Sequence, residues 1–306
     1  MTNTEQTPHV AILMATYNGS KYLPHQIDSI LKQHYTNWTL YVQDDLSTDN
    51  TPEILADYAK RDARIKVVDN QEKLGAKRNF MTLMEKVEAD YYMFSDQDDE
   101  WLPEKILVTM KKMMEEENEA PEKPVIVHTD LLVVDSDLKE IAPSLWEMFR
   151  ISPRILCNLD MLGGHCLVTG CTMMFNKAVR DLSIPMPEAA IMHDVWMALV
   201  TFKNGGRIGY VEEPTILYRQ HGSNTLGAID FRTNYVINKI RSLGHTLADG
   251  WRYYRMLRCV DYGSIFKFYR HKWIYYKAYN KELSEKKNIR NDIRLHRLIQ
   301  RRPLHT

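Results

Sequence analysis

"YYMFSDQDDEW" runs from Tyr91 to Trp101, and how it is read decides the fold. The apolar run Tyr91-Tyr92-Met93-Phe94 predicts a buried strand. Asp96, Asp98, Asp99 and Glu100 follow almost at once. A strand that ends this way sets several carboxylates at one edge of a sheet, where each raises the cost of ionising the next. Such crowding calls for a compensating partner.

The chain before this stretch alternates short apolar runs with helical patterns. Val10 to Ala15 reads as a buried strand and Tyr22 to Leu31 as an amphipathic helix. Trp38 to Gln43 is the next strand, and Thr51-Pro52 opens a helix to about Tyr58 with a cap and a proline at the first helical position. Ile65 to Val68, Ala76 to Val87 and Tyr91 to Phe94 continue as strand, helix and strand. This rhythm predicts an α/β fold with a mostly parallel central sheet flanked by helices. Beyond residue 125 the pattern is less regular. Val125 to Thr129, Thr169 to Phe175, Ile208 to Val211 and Thr215 to Tyr218 are expected strands, and His193 to Phe202 a helix. Met110 to Lys123 reads as a charged helix end and surface loop.

Ligands on parallel sheets bind beyond the carboxyl ends of the strands. The polar residues gather there: Thr16-Tyr17-Asn18-Gly19 after the first strand, Asp44 to Asp49 after the second, and Asp96 to Asp99 after the fourth. Three strand ends are therefore expected to share one cleft.

On an extended chain Asp96 and Asp98 face the same way. Two such carboxylates suit a hard cation, Mg²⁺ or Mn²⁺, which takes further ligands from substrate phosphates. An acidic turn before the helix near Pro103 is the alternative. In "DDLSTD" a carboxylate can accept from a base or a ribose, or the stretch can simply cap the following helix. In "GAKRN", Lys77 and Arg78 open a helix, which suits phosphate or is merely an exposed helix start.

Bulk properties narrow the class. With 306 residues, 44% hydrophobic and 26% charged, the chain suits a soluble globular protein with a sizeable core. No apolar run approaches a membrane span. The polar start, Met1 to His9, lacks the pattern of a secretion signal. Cysteines 157, 166, 171 and 259 have no zinc-like spacing and read as reduced thiols of a cytoplasmic protein. The net charge of zero hides a division. Residues 230–306 carry 18 Lys and Arg against 6 Asp and Glu, a net +12, so residues 1–229 hold the matching −12. Two parts are expected: an acidic body over 1–229 and a basic, helical C-terminal region over 230–306.

Together "ATYNG", "DDLSTDNT", "GAKRN", "SDQDDEWLPEK", "MHDVW" and "YRQHGSN" resemble, in order and spacing, the inverting glycosyltransferases of family 2, with the GT-A fold. Within that family "SDQDDEW" with "HTDLLVVD" looks most like bacterial rhamnosyltransferases of surface polysaccharide assembly. The resemblance, which covers about residues 8 to 225, implies roles. Thr16 and Asp45 would contact base and ribose, and Arg78 and Asn79 base or phosphate. Asp98 would ligate the cation, with Asp96 as a ribose, water or metal contact and His221 as a further ligand. Asp194 would be the catalytic base. The family's usual preceding Glu is here His193, whose role stays open. Gly163-Gly164-His165 and Gly170-Cys171-Thr172 fall where such enzymes build the acceptor pocket.

The resemblance implies a nucleotide-sugar donor, dTDP-rhamnose favoured over UDP-hexoses. Between Trp251 and Lys281, eight Lys and Arg interleave with aromatic rings against one acidic residue, Asp261. That surface suits the inner face of a cell membrane and a lipid-linked glycan acceptor, or helices packed on the body, and less well nucleic acid. Two other functions are weighed. A sugar-nucleotide nucleotidyltransferase would show a Gly-rich basic loop where this chain has "ATYNGSKY". A non-catalytic glycan- or membrane-binding module would keep the fold without turnover.

Overall fold

A computed structural model describes residues 7–164, 168–221 and 243–300, with side chains over 7–163, 168–221 and 250–285. The expected boundary at 229/230 lies outside the described residues, as do His165 and Cys166.

The first half follows the sequence closely. β1 (Val10–Thr16), α1 (Leu23–Leu31), β2 (Trp38–Asp44), α2 (Thr51–Arg61), β3 (Ile65–Val68), α3 (Gly75–Lys86) and β4 (Tyr91–Ser95) alternate without interruption. β5 (Glu100–Trp101), α4 (Lys105–Glu119), β6 (Val125–Val134), β7 (Glu140–Ala142), α5 (Leu145–Phe149) and α6 (Leu159–Gly164) come next. A 3-10 turn over Gly170–Thr172 leads into β8 (Met174–Asn176), α7 (Lys177–Ser183), α8 (His193–Lys203) and β9 (Arg207–Arg219). The described chain ends in α9 (Leu243–Arg258) and α10 (Ile265–Gln300).

One sheet runs in the order β3-β2-β1-β4-β8-β6-β9-β5, with β7 beside β6. β3, β2, β1 and β4 are mutually parallel, as are β6 and β9, while the short β8 is antiparallel to both β4 and β6. β1 shows why it is central. Val10, Ile12 and Met14 pack with Leu23, Ile27 and Ile106 on one face, and Ala11 and Leu13 with Phe80, Leu83 and Met84 on the other. A strand buried on both sides must be apolar throughout.

The second half departs from expectation in two places. The segment expected as a strand over 169–175 spends Gly170–Thr172 as a 3-10 turn and only its end as β8. The two short strands expected over 208–218 are one strand, β9, whose register against β6 shifts near Pro214. Proline has no N–H for the ladder, so pairing breaks locally and resumes.

The C-terminal helices pack on this body. A Cβ on Gly163 of α6 would stand 2.1 Å from the Tyr262 ring, so only glycine admits it. Tyr262 Oη donates to Asp160 O at 3.0 Å. From α10, Tyr275 Oη donates to Arg150 O at 2.7 Å and accepts from Ser152 N at 3.0 Å. Among the described residues, no helix is long and apolar enough to cross a membrane.

The loop after β2 closes on itself. Asp49 accepts from Thr51 N at 3.0 Å, Thr51 Oγ1 at 2.6 Å and Ser20 N at 3.1 Å, joining the turn after β1 to the start of α2. Burial opposes the charge on Asp49, but these hydrogen bonds outweigh it and hold the carboxyl at about 2. Asp49→Ala is expected to cost about 1 kcal/mol in urea unfolding. Because the folded carboxyl titrates below the unfolded one, its contribution is complete above about pH 4 and fades as pH falls towards about 2. The wild-type and variant midpoints should therefore converge at acid pH.

Candidate active site

β4 stops at Ser95, and residues 96–99 bend rather than continue extended. Asp96 and Asp98 consequently turn to different partners, unlike the same-side placement expected of an extended chain. Asp96 turns to Asp99 and Cys171, which each bring a ligand atom within 4.8 Å of the others. Asp98 turns to His221, whose Nε2 lies 2.9 Å from Oδ2. The His221 ring stacks on Tyr22, with centroids 4.7 Å apart. Arg219, at the end of β9, donates from Nε to Asp98 O at 2.9 Å and from its backbone N to Asp99 Oδ1 at 3.1 Å.

The cost of this crowding is visible. Burial, then the neighbouring Asp98 charge, pushes the Asp96 carboxyl up to about 7. Burial also raises Asp98, with His221 opposing, and raises Asp99, where Asp96 and Asp98 add to it. Beneath them Lys105 is fully buried, its ammonium without a hydrogen-bond partner among the described residues. Burial lowers it to about 8, while the nearby Cys171 and Asp99 oppose the fall. The sequence reading gave Lys105 no role, and placed Asp99 at the cleft and Cys171 in the acceptor-pocket stretch without an individual role for either. Nothing local in the sequence signals that residue 171 folds back against residues 96 and 99.

The second strand end is tied to the first and third. Thr16 Oγ1 donates to Asp44 Oδ1 at 2.9 Å. Asp45 accepts from Leu74 N at 2.6 Å and Gly75 N at 2.9 Å, so it anchors the start of α3. Gln97 bridges strand ends, accepting from Tyr17 N at 2.9 Å and donating to Tyr17 O at 3.1 Å. Gly19 is needed beneath it, because a Cβ there would meet Gln97 Oε1 at 2.3 Å. Asn79 is buried and donates to Gln43 O at 3.2 Å. Arg78 is exposed, lies 3.8 Å from Glu72, and is absent from the cleft lining. Lys73, stacked over the Tyr17 ring at 3.7 Å, is the basic side chain that does line the cleft. Sequence reasoning passed over it because it precedes the helix that drew attention.

Asp194 sits in the first turn of α8 and is buried. Oδ1 accepts from Val195 N at 2.7 Å and Oδ2 from Gly170 N at 3.0 Å. Both oxygens are thus aimed by backbone, one from its own helix and one from the 3-10 turn. His193, left open by the sequence, is buried between Phe80 and Phe94, with ring centroids 4.7 and 4.6 Å away. Burial lowers its basicity, with the neighbouring Asp194 charge opposing. Gly170 fits against it closely, since a Cβ there would lie 3.0 Å from His193 Nε2.

These groups share one cleft of about 300 Å³. Thr16, Asp45, Asn79, Asp96, Asp98 and Asp194 line it, joined by Lys73, Cys171 and His193. His221 reaches it through Asp98. An elongated polar ligand could lie from the β2 end to α8, with carboxylates along its length.

The chain is similar to several known proteins. A putative teichuronic acid biosynthesis glycosyltransferase, TuaG of Bacillus subtilis, is 36% identical over 112 residues, which is 37% of this chain and 44% of TuaG. The dTDP-rhamnosyl transferase RfbG of Shigella flexneri is 29% identical over 236 residues, covering 72% of this chain and 76% of RfbG. Among solved structures, residues 1–349 of TarS from S. aureus in complex with UDP-GlcNAc superpose with a TM-score of 0.55 at 16% identity, over 71% of this chain and 60% of that one. That likeness establishes the GT-A fold. Residues 11–183, more than half of the 306, match the family described as glycosyl transferase family 2, and the chain belongs to that family.

Proposed function

We propose that this protein transfers a sugar, with inversion, from a nucleoside-diphosphate donor to a lipid-linked glycan in bacterial cell-wall or capsular polysaccharide synthesis. L-rhamnose from dTDP-rhamnose is the donor this reading favours, on the 29% identity to RfbG across 72% of the chain. TuaG's name, teichuronic acid biosynthesis, supports a cell-surface polymer as the product. The single observation that carries the reading is that Asp45, Asp98 and Asp194, from three distant segments, line one cleft.

In this mechanism Asp194 is the base. Its carboxylate takes the proton of an acceptor hydroxyl as that oxygen bonds to the anomeric carbon. The bond from that carbon to the diphosphate oxygen breaks on the opposite side, and the nucleoside diphosphate leaves. Two backbone donors fix the orientation of Asp194 in the first turn of α8. Thr16, Asp45 and Asn79 would hold base and ribose, and Lys73 is better placed than Arg78 to meet phosphate.

The donor set suits a hard divalent cation. Asp98 and His221, 2.9 Å apart, offer oxygen and nitrogen, with Asp96 adjoining. Cys171 adjoins Asp96 and Asp99, but its soft sulfur suits such a hard ion less well than oxygen or imidazole. When bound, Mg²⁺ or Mn²⁺ neutralises charge on the departing diphosphate. Domain assignment follows the same division: residues 1–229 form the catalytic GT-A unit and 230–306 the basic region, which serves the membrane surface at the inner face of the cell membrane.

Three outcomes test this. Asp194→Asn is expected to lower turnover by at least about 100-fold while leaving donor-induced thermal stabilisation in place. Unchanged product formation would remove Asp194 from its role. Asp98→Asn and His221→Ala should each weaken Mn²⁺ binding by at least about tenfold in calorimetry. Across a panel of nucleotide sugars at one fixed concentration with Mg²⁺ or Mn²⁺, dTDP-rhamnose should raise the melting temperature most, since stabilisation grows with the ratio of ligand to Kd and is about 2.7 kcal/mol at a ratio of about 100. A larger shift with UDP-GlcNAc, the ligand in the TarS complex, would instead make the protein a UDP-hexose transferase.

A further inference from the structure

The aromatic residues of the C-terminal helices divide into two sets. Phe268 and Tyr275 are buried against the body, with Tyr253, Tyr254 and Tyr279 partly so. Phe266 is 83% exposed, Trp273 63%, Trp251 55%, Tyr269 44% and Tyr276 39%. On α10, positions 266, 269, 273 and 276 are spaced three, four and three apart, which places them within an arc of about 80°. The buried set, 268, 271 and 275, occupies the opposite side of the same helix. α9 continues the surface. A Cβ on its Gly250 would lie 3.4 Å from Tyr269 Oη, and the exposed Trp251 follows directly.

Cations border this stripe. Arg270, Lys277 and Lys281 are exposed on the flank of α10, and Arg255 and Arg258 share a helix face with Trp251. Lys277 Nζ stands 5.2 Å from the Trp273 ring centroid. Among the described residues Arg252, Arg255, Arg258, Arg270 and Lys277 have no ion pair, whereas the nearby Asp261 is already taken by Lys203 at 3.0 Å. A water-facing helix has no cause to expose a continuous row of Phe, Trp and Tyr. Trp and Tyr rings with a polar edge, beside the wholly apolar Phe266 and bordered by cations without an ion pair, match the boundary where acyl chains meet anionic headgroups.

We infer that the exposed face of α10, with Trp251 of α9, lies in the headgroup layer of an anionic bilayer, rings inward and cations against lipid phosphate. The inference rests on the membrane-surface reading above for its partner and adds which residues make the contact. Because α6 locks against Tyr262 and α10 holds Ser152, this contact would orient the body rigidly, so the cleft meets its acceptor at a set attitude. Occupation by nucleic acid or by a second copy of the chain are the competing outcomes.

The test is co-flotation of the full chain with vesicles of phosphatidylglycerol or of phosphatidylcholine, at low and high salt. The wild type should float with the anionic vesicles, less at high salt, and not with the zwitterionic ones. Phe266→Ser/Trp273→Ser and Arg270→Glu/Lys277→Glu should each lower the bound fraction roughly tenfold or more, with circular dichroism unchanged. The inference is overturned if the wild type does not float on anionic vesicles, or if the aromatic variant floats as well as the wild type. It is also overturned if that variant abolishes a lipid-free dimer in sedimentation, or nucleic-acid binding in a gel shift. A protein that floats yet shows no nucleotide-sugar thermal shift would refute the transferase reading and leave this face supported.

Discussion

The cost of placing Asp96, Asp98 and Asp99 together at a largely enclosed strand end is the constraint around which this structure is built. Burial raises each carboxyl; neighbouring carboxylates add to it for Asp96 and Asp99, while His221 and Arg219 oppose it for Asp98, and all three acids are kept. The chain meets part of that cost internally. Arg219 donates backbone and side-chain N–H groups to the turn, His221 pairs with Asp98, and Lys105 sits below as a buried cation. What remains is a strongly acidic site, and the cation and diphosphate proposed above would complete it.

The sheet explains why such a site can exist. β1, β2 and β4 are parallel neighbours, so their carboxyl ends lie side by side, and each ends in polar residues. Side chains then lock the ends into one rim: Gln97 to Tyr17, Thr16 to Asp44, and Asp45 to the start of α3. α8 approaches from the other half of the molecule and brings Asp194 in with both oxygens already held. Asp194 is positioned by backbone rather than by a neighbouring side chain, whereas Asp98 is paired with His221. Such rigidity would suit the base of the proposed inverting transfer.

Much of this was legible in the sequence because it is encoded locally. The apolar run at Val10–Met14 and the alternation up to Phe94 determine a parallel sheet, and the acidic ends mark its functional edge. What was not legible depends on contacts between distant segments. Residues 169–175 have a strand's composition, but Gly170 is drawn into a tight turn against His193 and Asp194, which no window of sequence contains. Arg78 looked like a phosphate ligand from its place at a helix start, yet it lies on the outer side of α3 while Lys73 faces the cleft. His193 stood where the family places an acid. Its enclosure by Phe80 and Phe94 shows a ring in the cleft wall. For the C-terminal helices, composition left packing and membrane contact as rivals, and the structure divides the aromatic residues between a buried and an exposed side.

The most direct test of the central claim is anomalous diffraction at the manganese edge from crystals grown with Mn²⁺ and a nucleoside diphosphate. The account predicts one strong peak within coordination distance of Asp98 and His221, with the diphosphate completing its shell and the base lying towards Asp45. A peak elsewhere, or a nucleoside diphosphate held in this cleft with no ion beside Asp98, would contradict it.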